Sequence, residues 1–235
     1  MTPFSLPPNH PRIRRVHSFE ELVATRFADG VNAFCWQREL AGDFAAVIAA
    51  LGPGEGVRVL DENDLLALTA TLDASMAITA MLDDLRRLRL LDLDPILNCI
   101  HAYPRDDDDA LVATDVMSFH VDSAPVEADT WLCTYYGAPS DGIDNDEVIR
   151  KIDHPATRAA LLEKFGGHDD ADFAAYLTEC CYDLHFAPLP GAKPYSFGLI
   201  NLWRIATAHP GCPVPPCVHR APATVPGAPR LLLIS

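Results

Sequence analysis

Three side chains in this sequence have the types and the order to hold a metal ion. In the stretch SFHVD, His120 and Asp122 stand two residues apart. Residues i and i+2 of an extended strand point to the same face, so an imidazole and a carboxylate would converge there. A third ligand is His219, far downstream in PPCVHRAP. Two imidazoles and one carboxylate on one face leave the other coordination positions open, as an Fe(II) centre that must admit a co-substrate and oxygen requires. Without His219, the pair would read as an ordinary polar contact in which the carboxylate orients the ring.

Other clusters offer less. Cys212-x4-Cys217-x-His219 and Cys180-Cys181-x3-His185 permit a thiolate zinc site, but neither has the paired Cys-x2-Cys knuckles of such sites. His185, in YDLHFAP, either lines a pocket mouth or caps a turn; His101, His154, His168 and His209 read as structural or surface residues. GPGEG lacks the Lys-Ser/Thr of a phosphate loop. The acidic run Asp106–Asp109 lacks the spaced ligands and central glycine of a calcium loop and reads as a solvated turn.

Composition excludes whole classes. A net charge of −15 argues against a nucleic-acid surface, which needs clustered Lys and Arg. The chain is 49% hydrophobic, which suits a packed core rather than disorder. No apolar run is long enough to span a bilayer, and MTPFSLPPNHPRIRR lacks the apolar stretch of a signal peptide. The expectation is a cytoplasmic chain. Seven cysteines without repeated spacing fit reduced, mostly buried thiols there.

Two rhythms must position these residues, within one domain spanning residues 1–235. Over 18–92 the spacing predicts a helical layer: SFEELVATRFADG opens with a capping box and stops at Gly30, GDFAAVIAAL follows, and MAITAMLDDLRRLRLL carries apolar residues at helical spacing. From 96 onward, short apolar and aromatic runs bounded by Pro, Gly or Asp predict strands at 96–104, 111–122, 130–137, 197–206, 216–222 and 230–235. An insertion over about 141–195 reads as partly helical, through DHPATRAALLEKFGG and DDADFAAYLTECCYDL. The fold class is α+β, mainly β, with the helices covering the outside of the sheet.

The order of LNCIHAYP, FHVD, TWLCTYYG, GLINLWRI, VHRAP and Arg230 resembles the Fe(II)/2-oxoglutarate-dependent dioxygenases of the double-stranded β-helix (jelly-roll, cupin-like) fold. The resemblance covers 96–235 and implies Fe(II) on His120, Asp122 and His219, with Arg230 holding the distal carboxylate of 2-oxoglutarate. It implies hydroxylation of a C–H bond on a substrate that the sequence does not name, with the insertion as a lid. Where that family often has a hydroxyl residue two positions after the basic one, this chain has Leu232. TWLCTYYGAPS and CYDLHFAPLPGAKPYSFG also resemble an uncharacterised bacterial family of unknown function, loosely associated with zinc homeostasis. Two alternatives on the same scaffold stay open: a non-catalytic zinc-binding protein, and a lyase or isomerase using the metal as a Lewis acid.

Overall fold

The computed structural model describes residues 10–105 and 110–235, so the acidic run Asp106–Asp109 lies outside the described residues. Its strands are β1 (Ile13–Val16), β2 (Ala33–Trp36), β3 (Val57–Leu60), β4 (Ile96–Ile100), β5 (Asp129–Tyr136), β6 (Asp141–Ile143), β7 (Val148–Arg150), β8 (Phe186–Pro188), β9 (Tyr195–Ser196), β10 (Leu202–Ala206), β11 (Val218–Arg220) and β12 (Arg230–Ile234). The helices are α1 (Phe19–Ala24), α2 (Phe44–Leu51), α3 (Glu62–Leu66), α4 (Leu72–Arg89), α5 (Pro155–Phe165) and α6 (Ala171–Glu179). Seven strands form a large sheet in the order β1-β2-β10-β5-β12-β4-β3; β11-β6-β9 form a smaller sheet, and β7 pairs with β8. The class is α+β with a large multi-stranded sheet.

Alternation along the central strands gives the large sheet two different faces. Leu97 and Cys99 of β4, Trp131, Cys133 and Tyr135 of β5, and Leu231 and Leu233 of β12 pack with Val47 of α2 and Met81, Leu85 and Leu88 of α4. This is the helical cover expected from the sequence, and it buries the apolar stripe of each helix. The intervening residues face the other way, where Leu132, Ile100 and Leu232 share a core with Tyr195 and Phe197 from the end of the insertion and with Cys217. The smaller sheet therefore packs over the second face of the large one. Gly142 permits that closeness, since a Cβ there would come within 2.4 Å of the Tyr195 ring.

Several expectations need correction. Residues 18–92 are not purely helical: β2 and β3 come from this region, and β1 just precedes it, so the N-terminal part supplies both edges of the large sheet. The first helix ends at Ala24 rather than at Gly30, because the apolar run Ala33–Trp36 gains more by pairing with β1 and β10 than by extending a short helix. Residues 111–122 form no continuous strand. The Asp115 carboxylate accepts from the backbone N–H groups of Met117 and Ser118, a turn that displaces the ladder, and pairing resumes only at His120. Finally, the 141–195 insertion contributes strands β6 to β9 as well as its two helices, and the 197–206 run is a strand only from Leu202.

Candidate metal centre

His120 is held by backbone pairing on both sides. Its N–H donates to the His219 carbonyl and its carbonyl accepts from the His219 N–H, both at 2.9 Å. On the other flank, Val121 N–H donates to Leu184 and Phe186 N–H donates to Phe119. The two histidines therefore sit directly opposite each other, with ring centroids 4.6 Å apart. Asp122 lies between them: Oδ1 is 3.7 Å from His120 Nε2, and Oδ2 is 3.6 Å from His219 Nε2. Ligand atoms of the three residues lie within 4.8 Å of one another, and they form the only such cluster among the described residues. The residues that the spacing nominated do meet.

Hydrogen bonds fix which atoms face the centre. His120 Nδ1 lies 2.8 Å from the Ser118 carbonyl, and His219 Nδ1 lies 3.2 Å from the Cys217 carbonyl. A ring nitrogen facing a carbonyl must carry the proton, which leaves each Nε2 lone pair for a metal. The Thr130 hydroxyl donates to Asp122 Oδ2 at 2.5 Å and is itself 3.1 Å from the Thr207 hydroxyl. Burial, and then the neighbouring His219, push the His120 imidazole down to about 4, outweighing the attraction of Asp122. For Asp122, burial alone would raise the carboxyl, but His219, the Thr130 hydroxyl and His120 together hold it below the usual carboxylate range. A neutral imidazole beside an ionised carboxylate is the protonation state that metal binding needs.

A cavity of about 180 Å³ opens at this cluster, and Arg230 shares it. Its walls on β12 are Arg230, Leu232 and Ile234, the face expected from strand alternation. Arg230 is 4% exposed. Nη1 donates to the Tyr103 hydroxyl at 2.6 Å, and Nη2 donates to Thr134 Oγ1 at 2.9 Å and Ser140 Oγ at 2.7 Å. Nε has no acceptor. No carboxylate among the described residues pairs with this guanidinium; Asp141, whose field reaches it, is engaged by Arg220 at 3.1 Å. Burial lowers the Arg230 pKa, and Tyr103 and Asp141 only partly offset that. A buried cation contacted only by hydroxyls is costly unless an anion completes it. Each hydroxyl accepts from Arg230 and keeps its own O–H to donate.

Tyr103, Thr134 and Ser140 were not nominated as site residues from the sequence. Tyr103 follows β4 by three residues, and Thr134 lies on the site face of β5; Ser140 lies in the turn before β6. Leu232 offers no hydroxyl to the site, and the structure instead draws hydroxyls from neighbouring segments. His185, by contrast, is drawn close: it bridges to His120 with ring centroids 5.7 Å apart, outside the three-ligand cluster. The thiolate alternatives do not assemble. All seven cysteines are free, four of them buried, and none joins a metal-binding cluster among the described residues. No helix among them is long and apolar enough to cross a membrane.

The two imidazoles and the carboxylate fit a divalent metal with open positions, and the orphaned Arg230 Nε fits an anion in the same cavity. No family model, curated protein or solved structure matches this chain.

Proposed function

We propose that the chain is a mononuclear non-haem Fe(II) oxygenase that uses 2-oxoglutarate, or a closely similar oxoacid, to hydroxylate its substrate. The observation that carries this reading is one cavity holding both a three-ligand metal cluster and a buried guanidinium that no carboxylate among the described residues pairs with. A metal-storage or zinc-delivery site needs the first and has no use for the second. A Lewis-acid lyase would need a base near the metal, and the second feature of this cavity is an anion cradle instead. Two facing sheets with the ligands between them are also what a double-stranded β-helix requires.

In this reading His120, Asp122 and His219 hold the metal through the two Nε2 atoms and the carboxylate. Bound Fe(II) supplies the oxidising chemistry, with the oxoacid as the source of two electrons. The protein's part is positional. Arg230 donates its unpartnered Nε–H to the distal carboxylate of the oxoacid, and the O–H groups of Ser140, Thr134 and Tyr103, which accept from the guanidinium, turn toward the same anion. Leu132, Leu232 and Ile234 keep the space between anion and metal apolar. The insertion reaches the site through Leu184–Phe186, which is hydrogen-bonded to Phe119–Val121, and so stands where a lid would act.

The test begins with the metal content of untagged protein purified without chelators. Anaerobic titration with Fe(II) and 2-oxoglutarate follows. An absorption band that requires both additions, with succinate formed once oxygen is admitted, is the expected result. Tight zinc with no response to the oxoacid would overturn the proposal in favour of a zinc-binding role.

A further inference from the structure

We infer that the anionic co-substrate exchanges through its own passage behind Arg230, gated by Tyr103 and separate from the mouth that admits the substrate. The inference rests on the oxygenase reading above. Three cavities adjoin one another along this line. The site cavity shares Ile100, Tyr103 and Arg230 with a narrow void of about 50 Å³. That void shares His101 and Thr224 with an outer groove of about 670 Å³, walled by the Gly52–Gly56 turn and the Pro226–Pro229 segment. At about 10–15 Å³ of such space per water, the narrow void holds a few waters and lets a carboxylate through only if its wall moves.

The wall that separates the site from the void is the Tyr103–Arg230 pair, joined by the 2.6 Å hydrogen bond. Tyr103 is the part that would move. It packs at the edge of the second core but lies beyond the end of β4 in an irregular segment, and among the described residues its backbone N–H is tied only to the Thr224 hydroxyl, at 3.3 Å. When its ring swings, Arg230 turns a donor toward the void while Thr134 and Ser140 keep hold of the other side. An incoming carboxylate would thus be passed from solvent to the guanidinium without crossing the metal.

The second opening differs in chemistry. Val57 lies on the same rung of the sheet as Arg230, two strands away through Ile100, which is about 10 Å at the usual strand spacing. Val57 and Val116 line the cavity there and are 44% and 40% exposed, so this mouth is apolar. A substrate seated on it would block the oxoacid and its product from leaving the same way. Two openings of opposite polarity allow the anion to exchange while the substrate stays bound.

Ala228 is exposed and lines the narrow void without lining the site cavity, so it offers a plug that spares the binding groups. The experiment mixes 2-oxoglutarate with Fe(II)-loaded protein under argon in a stopped-flow instrument, and measures affinity separately by titration. Blocking a route slows entry and exit equally, so Ala228→Trp should lower both rate constants by about tenfold with Kd within about twofold. Ala228→Ser, which leaves the bore open, should match the wild type. Unchanged rates in Ala228→Trp with intact binding would overturn the passage and leave the oxygenase reading standing. A changed Kd at an unchanged association rate would overturn it as well, because Ala228 would then belong to the site. No binding of the oxoacid to wild-type protein would remove both.

Discussion

Thr130 and Asp122 are locked together across the site: the threonine hydroxyl donates to Asp122 Oδ2 while resting against the Thr207 hydroxyl behind it. Thr130 and Thr207 are both buried. The contact fixes the carboxylate rotamer between the two imidazoles and helps hold it ionised before any metal arrives. Groups that orient a metal ligand typically contribute 10- to 100-fold in affinity, so Thr130→Val should weaken Fe(II) or zinc binding by about tenfold or more. Competition against a chromophoric chelator would measure this. An unchanged affinity would show that strand pairing alone orients Asp122.

Removing the carboxylate itself is the stronger perturbation. Asp122→Ala should abolish metal retention while leaving the fold intact, because the aspartate contacts site residues and no part of the helix-covered core. Metal analysis after dialysis, paired with a thermal melt of the metal-free protein, separates the outcomes. Global unfolding would assign Asp122 a structural role.

The metal-free protein should lose stability as the pH falls. His120 titrates at about 4 in the folded chain, against 6.5 for the unperturbed residue. The folded state thus binds this proton less readily than the unfolded chain does. Its contribution is complete above pH 6.5, declines as pH falls toward 4 and levels off below, for about 3 kcal/mol in all. Asp122, lowered below 3.8, begins to cost only beneath that window. His10, also lowered by burial, adds in the same direction, so the measure is the difference between wild type and His120→Asn in chelator. The expected result is a shallower acid slope in the variant; parallel curves would remove His120 as the source.

The meeting of the candidate residues was legible because it rests on residue types and order: His120, Asp122 and His219 converge, and strand alternation put Arg230 in their cavity on the same face as Leu232 and Ile234. Tyr103, Thr134 and Ser140 were not, since their role comes from three segments meeting around one guanidinium, and single hydroxyls carry no pattern. Local rhythm also misled where pairing is non-local. Ala33–Trp36 and Val57–Leu60 are four residues each, too short to show a period, and only their places at the sheet's two flanks define them as strands. His120 needed no long strand of its own, because reciprocal bonds with His219 sufficed.

Arg230 separates a structural from a binding role most sharply. A guanidinium that stabilised the fold through buried pairing would cost about 3–5 kcal/mol when its partner is lost. Among the described residues the partners are three hydroxyls, Nε has none, and burial disfavours the charge. Arg230→Met keeps the volume and removes the cation, so the ligand-free variant should be about as stable as the wild type or more so. Its affinity for 2-oxoglutarate should fall at least about tenfold, equivalent to about 1.4 kcal/mol, with Fe(II) binding unchanged. Denaturant titration and anaerobic oxoacid binding on the same preparation supply both numbers. A variant that is strongly destabilised, or that binds the oxoacid as well as the wild type, would show that the guanidinium is there for the fold and not for a ligand.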